Sequence, residues 1–107
     1  MNASTSGIQN IQELSPKDVV EYKIQLLLNI NSILLLVLQE VGQNGICMTK
    51  LHGNIQHLVS LTNPNVQPKP LDLKPIPSEG FAQNTQALVT GLNKLYLLLT
   101  KLIELYP

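Results

Sequence analysis

Cys47, His52 and His57 are the side chains in this sequence best suited to metal ligation or nucleophilic chemistry, and they sit close together along the chain. A zinc site needs ligands that converge on one point. Cys47 and His52, like His52 and His57, are five residues apart, about 140° around a helix, so neither pair shares a face. A nucleophile needs an oriented base beside it, and two histidines on one short helix with no Gly-rich elbow do not supply that arrangement. Phosphate loops, dinucleotide fingerprints and basic stripes with interleaved aromatics are missing as well. The expectation is a protein without catalytic residues, metal or cofactor. The remaining chemical signal is Asn31, the one polar residue on the apolar seam of the first helix, which reads either as a tolerated polar residue near a groove or as a residue that sets register. At a helix seam, a buried asparagine costs stability but penalises wrong pairings.

The elements that carry these residues are helical. Ser15-Pro16-Lys17-Asp18 supplies an N-cap serine, a proline at the first helical position and an acid three residues after the cap. The first helix then runs to Val41, where Gly42, Asn44 and Gly45 stop it. Val20, Ile24, Leu27, Asn31, Leu34, Leu38 and Val41 alternate at spacings of four and three, a heptad seam. Leu26, Leu28, Ile30, Ile33, Leu35, Leu36 and Val37 lie off it, so the helix is apolar nearly all round and must be buried nearly all round. A second helix is expected from Cys47 to Thr62, with Met48, Leu51, Ile55, Leu58 and Leu61 on its inner stripe and Lys50, Asn54, Gln56 and His57 off it. The short connection predicts an antiparallel hairpin.

Residues 63–77 hold five prolines, which forbids a helix or central strand and leaves extended chain. Leu71, Leu73 and Ile76 predict that this strap lies on an apolar surface. A third helix is expected from about Ser78 onward, with Phe81, Leu88, Leu92, Leu95, Leu99, Leu102 and Tyr106 in heptad register. The domain reading is a disordered or loosely docked tail (1–14), a helical hairpin (15–62), a proline-rich linker (63–77) and a C-terminal helix (78–107).

Composition narrows the function classes. Hydrophobic residues make up 44 % of the chain and aromatics only 4 %, an excess of leucine that favours an all-α fold. The net charge is zero, and none of the seven basic residues is arginine, so direct nucleic-acid binding is not expected. One cysteine and the lack of a basic, apolar start predict a reducing, cytosolic or nuclear compartment. The apolar stretch from residue 24 to 38 contains Gln25, Asn29, Asn31 and Ser32 and is short of the roughly 20 residues of a membrane span. A membrane-associated helical protein is therefore the alternative from another class. Burying one leucine is worth roughly 1.5–3 kcal/mol. Half a dozen uncovered leucines on each long helix would then amount to on the order of 10 kcal/mol per helix, as much as a small domain's whole stability. Partner surfaces are expected to complete the core.

Three segments also carry a resemblance. Glu21-Tyr22-Lys23-Ile24-Gln25-Leu26-Leu27-Leu28-Asn29-Ile30-Asn31-Ser32-Ile33-Leu34, then Leu51-His52-Gly53-Asn54-Ile55 with Leu58 and Leu61, then Leu92-Asn93-Lys94-Leu95-Tyr96-Leu97-Leu98-Leu99 resemble the smallest fungal subunit of the SWI/SNF chromatin-remodelling complexes. The middle piece is also similar to the SNH domain of the synovial-sarcoma translocation proteins. The likeness covers roughly residues 20 to 106.

The resemblance implies a nuclear, non-enzymatic subunit that binds the N-terminal helical region of the remodeller's ATPase subunit and neighbouring scaffold subunits, with no direct nucleic acid, membrane or small-molecule ligand. Leu27, Asn31, Leu34, Leu51, His52, Asn54, Ile55 and Leu58 carry over by position. Leu38, Leu92, Leu95, Tyr96, Leu99 and Leu102 complete the expected partner-binding set. The Gln/Asn-rich flanks common in that family are nearly missing here, and the third helix has no counterpart in the SNH domain. A small helical subunit of another nuclear assembly is the nearest alternative.

Overall fold

The computed structural model describes residues 15–67 and 70–106. The expected tail at 1–14, together with Pro68, Lys69 and Pro107, lies outside the described residues. Within them the chain is all-helical, with α1 (Pro16–Val41), α2 (Gly45–Thr62) and α3 (Gln83–Leu105). α1 is the central element and packs against both of the others.

The start of α1 follows from its first residues. Ser15 is extended, and its Oγ accepts the Asp18 N–H at 3.2 Å, while Pro16 occupies the first turn, where no N–H is needed. The helix ends at Gly42, whose φ of 76° is a conformation that glycine adopts without cost; its N–H donates to the Leu38 carbonyl. α2 begins two residues earlier than its apolar pattern predicts, because Asn44 is an N-cap as well as a breaker. Its Oδ1 accepts the Cys47 N–H at 3.0 Å. α3 begins at Gln83, five residues after the expected Ser78. Residues 79 and 80 form a turn with Gly80 at φ 86°, and this positive φ interrupts a right-handed helix.

The core is wider than a heptad seam. Val19, Leu26, Leu27, Ile30, Leu34 and Val37 of α1 are buried together with Val89, Leu92, Tyr96, Leu99 and Leu102 of α3, Cys47 of α2 and Ile76 of the proline-rich segment. A seam of period 3.5 serves one neighbour, whereas α1 meets two helices and needs a broader arc. Hence Leu26, Ile30 and Val37, off the seam, are buried, while Val20, on it, is exposed.

α2 departs most from its sequence pattern. Its buried residues are Cys47, Lys50 and Asn54, whereas Met48 and Ile55, placed on the inner stripe by periodicity, are each 48 % exposed. Leu51, Leu58 and Leu61 are half-buried against the core. The helix is rotated toward its polar residues because those residues have partners inside.

Candidate functional site: a buried polar clasp and three bare apolar faces

The inward rotation of α2 is explained by a network that ties three helices together. Asn54 Nδ2 donates both of its hydrogens, one to Asn31 Oδ1 at 2.9 Å and one to the Tyr96 hydroxyl at 3.2 Å. Asn54 and Tyr96 are almost wholly enclosed and Asn31 is 8 % exposed. A buried amide left unpaired costs about 1–3 kcal/mol, so the pairing fixes how α1, α2 and α3 register. α2 carries two polar side chains, Asn54 and His52, that are able to pair with an amide on α1. The structure selects Asn54; His52 lies on the outside and shares a hydrogen bond with Gln56 at 3.1 Å.

Beside this amide pair, Lys50 points inward and is only 3 % exposed. Its ammonium donates to the carbonyls of Lys74 at 2.7 Å and Asp72 at 3.1 Å, pairs with Asp72 Oδ1 at 3.3 Å and stands 4.7 Å over the Tyr96 ring. These groups satisfy its three protons and place its charge on an aromatic face. The Asp72 carboxyl is held below the usual carboxylate range, first by the Lys74 N–H and then by Lys50. Asn93 of α3 grips the same segment two residues on, accepting the Ile76 N–H at 2.8 Å and donating to the Ile76 carbonyl at 3.0 Å. The prolines keep residues 70–77 extended, and Lys50 and Asn93 satisfy its free backbone groups from α2 and α3. Every buried side-chain nitrogen and oxygen among the described residues has a partner.

Sequence periodicity put Lys50 on the outside of α2, and no local pattern marks it as buried. A faint signal existed in the one charged residue of an otherwise uncharged helix, since an isolated charge with no neighbour to pair on its own helix finds its counterpart elsewhere. Asn93 likewise carried no mark beyond its place in the resembling segment.

Of the expected partner-binding residues, Leu27, Leu34, Leu92, Leu99 and Leu102 are enclosed in the chain's own core, with Asn31, Asn54 and Tyr96 in the clasp. Leu38, Leu51, Leu58 and Leu95 are half-buried at its margin. Ile55 and His52 are exposed. The exposed large apolar side chains share only Ile55 with that set: Val20, Leu28, Leu35 and Leu36 on α1, Ile46, Met48, Ile55 and Val59 on α2, and Leu97, Leu98 and Leu105 on α3.

Among the described residues no three His, Cys, Asp or Glu side chains converge as metal ligands. Cys47 is enclosed and burial pushes its thiol above the ordinary value, against the smaller opposing pull of Lys50. A raised thiol pKa means that the thiolate is disfavoured in the folded state. Alkylation of native Cys47 at pH 8 should therefore be at least tenfold slower than in denaturant, as read by mass spectrometry against time; equal rates would place the thiol at the surface.

The amide pair has its own test. Asn31→Leu should lower stability by about 1–2 kcal/mol by taking the acceptor from Asn54, whereas Asn31→Leu combined with Asn54→Leu should recover most of it, because no buried donor is then left alone. Urea melts of the two single variants and the double variant measure the coupling; strict additivity would mean that the amides act independently.

Compared with protein-family models, with curated proteins and with solved structures, the chain matches none.

Proposed function

We propose that this chain is a non-catalytic architectural subunit of a SWI/SNF-type ATP-dependent chromatin-remodelling complex in the nucleus, where it supports transcription regulation. Its partners are the N-terminal helical region of the ATPase subunit and neighbouring scaffold subunits, and it makes no direct contact with nucleic acid, cofactor or small molecule. In this reading α1 and α2 form an antiparallel hairpin, residues 63–77 strap across it, and partner helices complete the apolar exterior.

The observation that carries the proposal is the number of large apolar side chains left bare. Eleven stay exposed among the described residues even though the helices already enclose a core of their own. Apolar surface on that scale, spread over all three helices, marks contact surfaces. The three segments that resemble the smallest SWI/SNF subunit supply the identity of the assembly.

Co-expression of the full chain with the N-terminal helical fragment of the ATPase subunit tests this. The expected result is a stoichiometric, soluble complex, with the chain alone prone to self-association. A cooperative, monomeric melt of the chain alone, unchanged by the fragment, would overturn it.

One observation favours a second reading. α1 is 26 residues long, and its most apolar 18-residue window has a mean hydropathy of 1.7 with 33 % of that window buried, so by length and composition it is able to cross a membrane. Extraction without detergent separates the two: a remodeller subunit enters the soluble fraction in a large complex, and a membrane protein stays in the pellet.

A further inference from the structure

We infer that the partner seats one helix in the α1–α2 groove on the side away from α3, and that the contact stripe of this helix is apolar and uncharged over about three turns. This rests on the proposed role as a helix-binding subunit and names the surface and the chemistry that the role requires.

The placement follows from the clasp. At about 100° per residue, Leu35 and Leu28 lie roughly 40° and 60° past Asn31 around α1, away from the arc of Ile30 and Leu26 that meets the core. On α2, Lys50 lies roughly 40° to one side of Asn54, toward Tyr96 of α3, while Ile55, Met48 and Val59 lie roughly 100–140° to the other side. Asn31 and Asn54 are bonded to each other across the two helices, and in the antiparallel hairpin proposed above rotations of the same sense from these two residues bring both displaced stripes to the same, outer side of the seam. Leu28, Leu35, Met48, Ile55 and Val59 are each between 44 % and 51 % exposed. The half-buried Ile24 extends the stripe by a turn, so it runs from Ile24 to Leu35 of α1, roughly 16 Å.

Charge specifies the occupant. α1 carries no charged side chain from residue 24 to 39, and the only one on α2 is Lys50, which is turned inward. The groove therefore has no counter-charge to offer, and any Lys, Arg, Asp or Glu on the seated stripe would lose its water without gaining a partner. Leucine, isoleucine, methionine or small residues at spacings of three and four fit it. Area argues against a second copy of this chain. The exposed parts of the five side chains amount to roughly 400 Å², about half of what each side of a standard stable interface contributes. A helix tethered within a larger assembly gains the rest of its affinity from other contacts.

Two probes test the groove with the full chain. The first is the N-terminal helical fragment of the ATPase subunit. Leu28→Glu and Ile55→Glu should each weaken its binding at least tenfold, while Leu98→Glu and Leu105→Glu on α3 should change it less than threefold. Circular dichroism checks that each variant is folded; should a glutamate variant fail to fold, Leu28→Ala and Ile55→Ala are read instead, with at least threefold weakening expected. The second probe is a synthetic 14-residue helical peptide with an uncharged leucine stripe, beside the same peptide with one stripe leucine replaced by glutamate. The uncharged peptide should shift the methyl resonances of Leu28, Leu35, Met48 and Ile55, and the charged one should not.

If the fragment fails to bind but the uncharged peptide seats on these methyls, the remodeller reading falls and the groove stands. If the fragment binds equally to the groove variants and the peptide shifts none of these methyls, the reading stands and the groove assignment is overturned. Equal binding of both peptides, or a dimer of the chain that the groove variants dissolve, also overturns it.

Discussion

Leu34→Asp is expected to leave the chain unfolded, whereas Leu35→Asp, one residue further on, should leave it folded. Leu34 is wholly enclosed between the helices, and Leu35 is 51 % exposed. The first substitution forfeits roughly 1.5–3 kcal/mol of leucine burial and places a carboxylate where no cation waits, which costs several kcal/mol more or forces its protonation. Together these approach the about 5–15 kcal/mol that holds a small domain together. The second substitution puts the same carboxylate partly in water, and its cost to stability should stay within about 1 kcal/mol. Far-UV circular dichroism and urea titration of the two purified variants give the comparison. If both lose their helical signal, the burial pattern of α1 is not the one described. If both keep it, Leu34 is a contact for a partner and not a member of the chain's own core.

Lys50→Ala is expected to cost about 3 kcal/mol or more and to release residues 70–77 from the helices. The alanine leaves the carbonyls of Asp72 and Lys74 without their donor, at about 1–3 kcal/mol for each group that water cannot reach, and opens a void over the Tyr96 ring. Lys50→Met fills that void and should retain part of the loss. Asp72→Asn should cost less than Lys50→Ala, because the Asp72 side chain is 53 % exposed and an amide oxygen in its place still accepts from the buried ammonium. Hydrogen exchange should show the Ile76 amide, now donated to Asn93, exchanging much faster in Lys50→Ala than in the parent chain. Unchanged protection there would mean that Asn93 alone anchors the segment.

The pH dependence has a defined sign. The Asp72 carboxyl is held below its ordinary value of 3.8, and a depressed acid contributes stability above its unfolded pKa and loses it as pH falls through the folded one. The Lys74 N–H, the larger cause, survives in Lys50→Ala, so the difference between the parent chain and this variant should be flat across neutral pH and narrow only slightly, and only in acid.

The sequence alone was sufficient for the local features. Ser15, Pro16 and Gly42 set both ends of α1, because a side-chain oxygen, a missing N–H and a tolerated positive φ act within one turn of where they stand. Pro64, Pro70, Pro75 and Pro77 likewise excluded helix by their own ring geometry from the described residues between 63 and 77. The all-α class followed from leucine content and period. Asn31 stood out as the polar residue on an apolar seam, which left it either a tolerated polar residue or a pairing one; its bond to Asn54 is what the fold adds.

What only tertiary structure decided was which faces turn inward. A helix that is apolar almost all round, like α1, has no moment strong enough to choose its buried side, so the neighbours choose it, and they chose Leu34 over Leu35 and Val19 over Val20. α2 shows the same cause more sharply. Its apolar stripe predicted Met48 and Ile55 inside, but the partners able to satisfy Asn54 and Lys50 stand 22 to 42 residues away along the chain, on α1, on α3 and in residues 72–74. Leaving a lysine and an amide unsatisfied costs more than exposing half of two apolar side chains, so the helix turned its polar residues in. That choice leaves Met48, Ile55 and Val59 bare beside Leu28 and Leu35, and no window of local sequence contains it, because it depends on groups that only folding brings together.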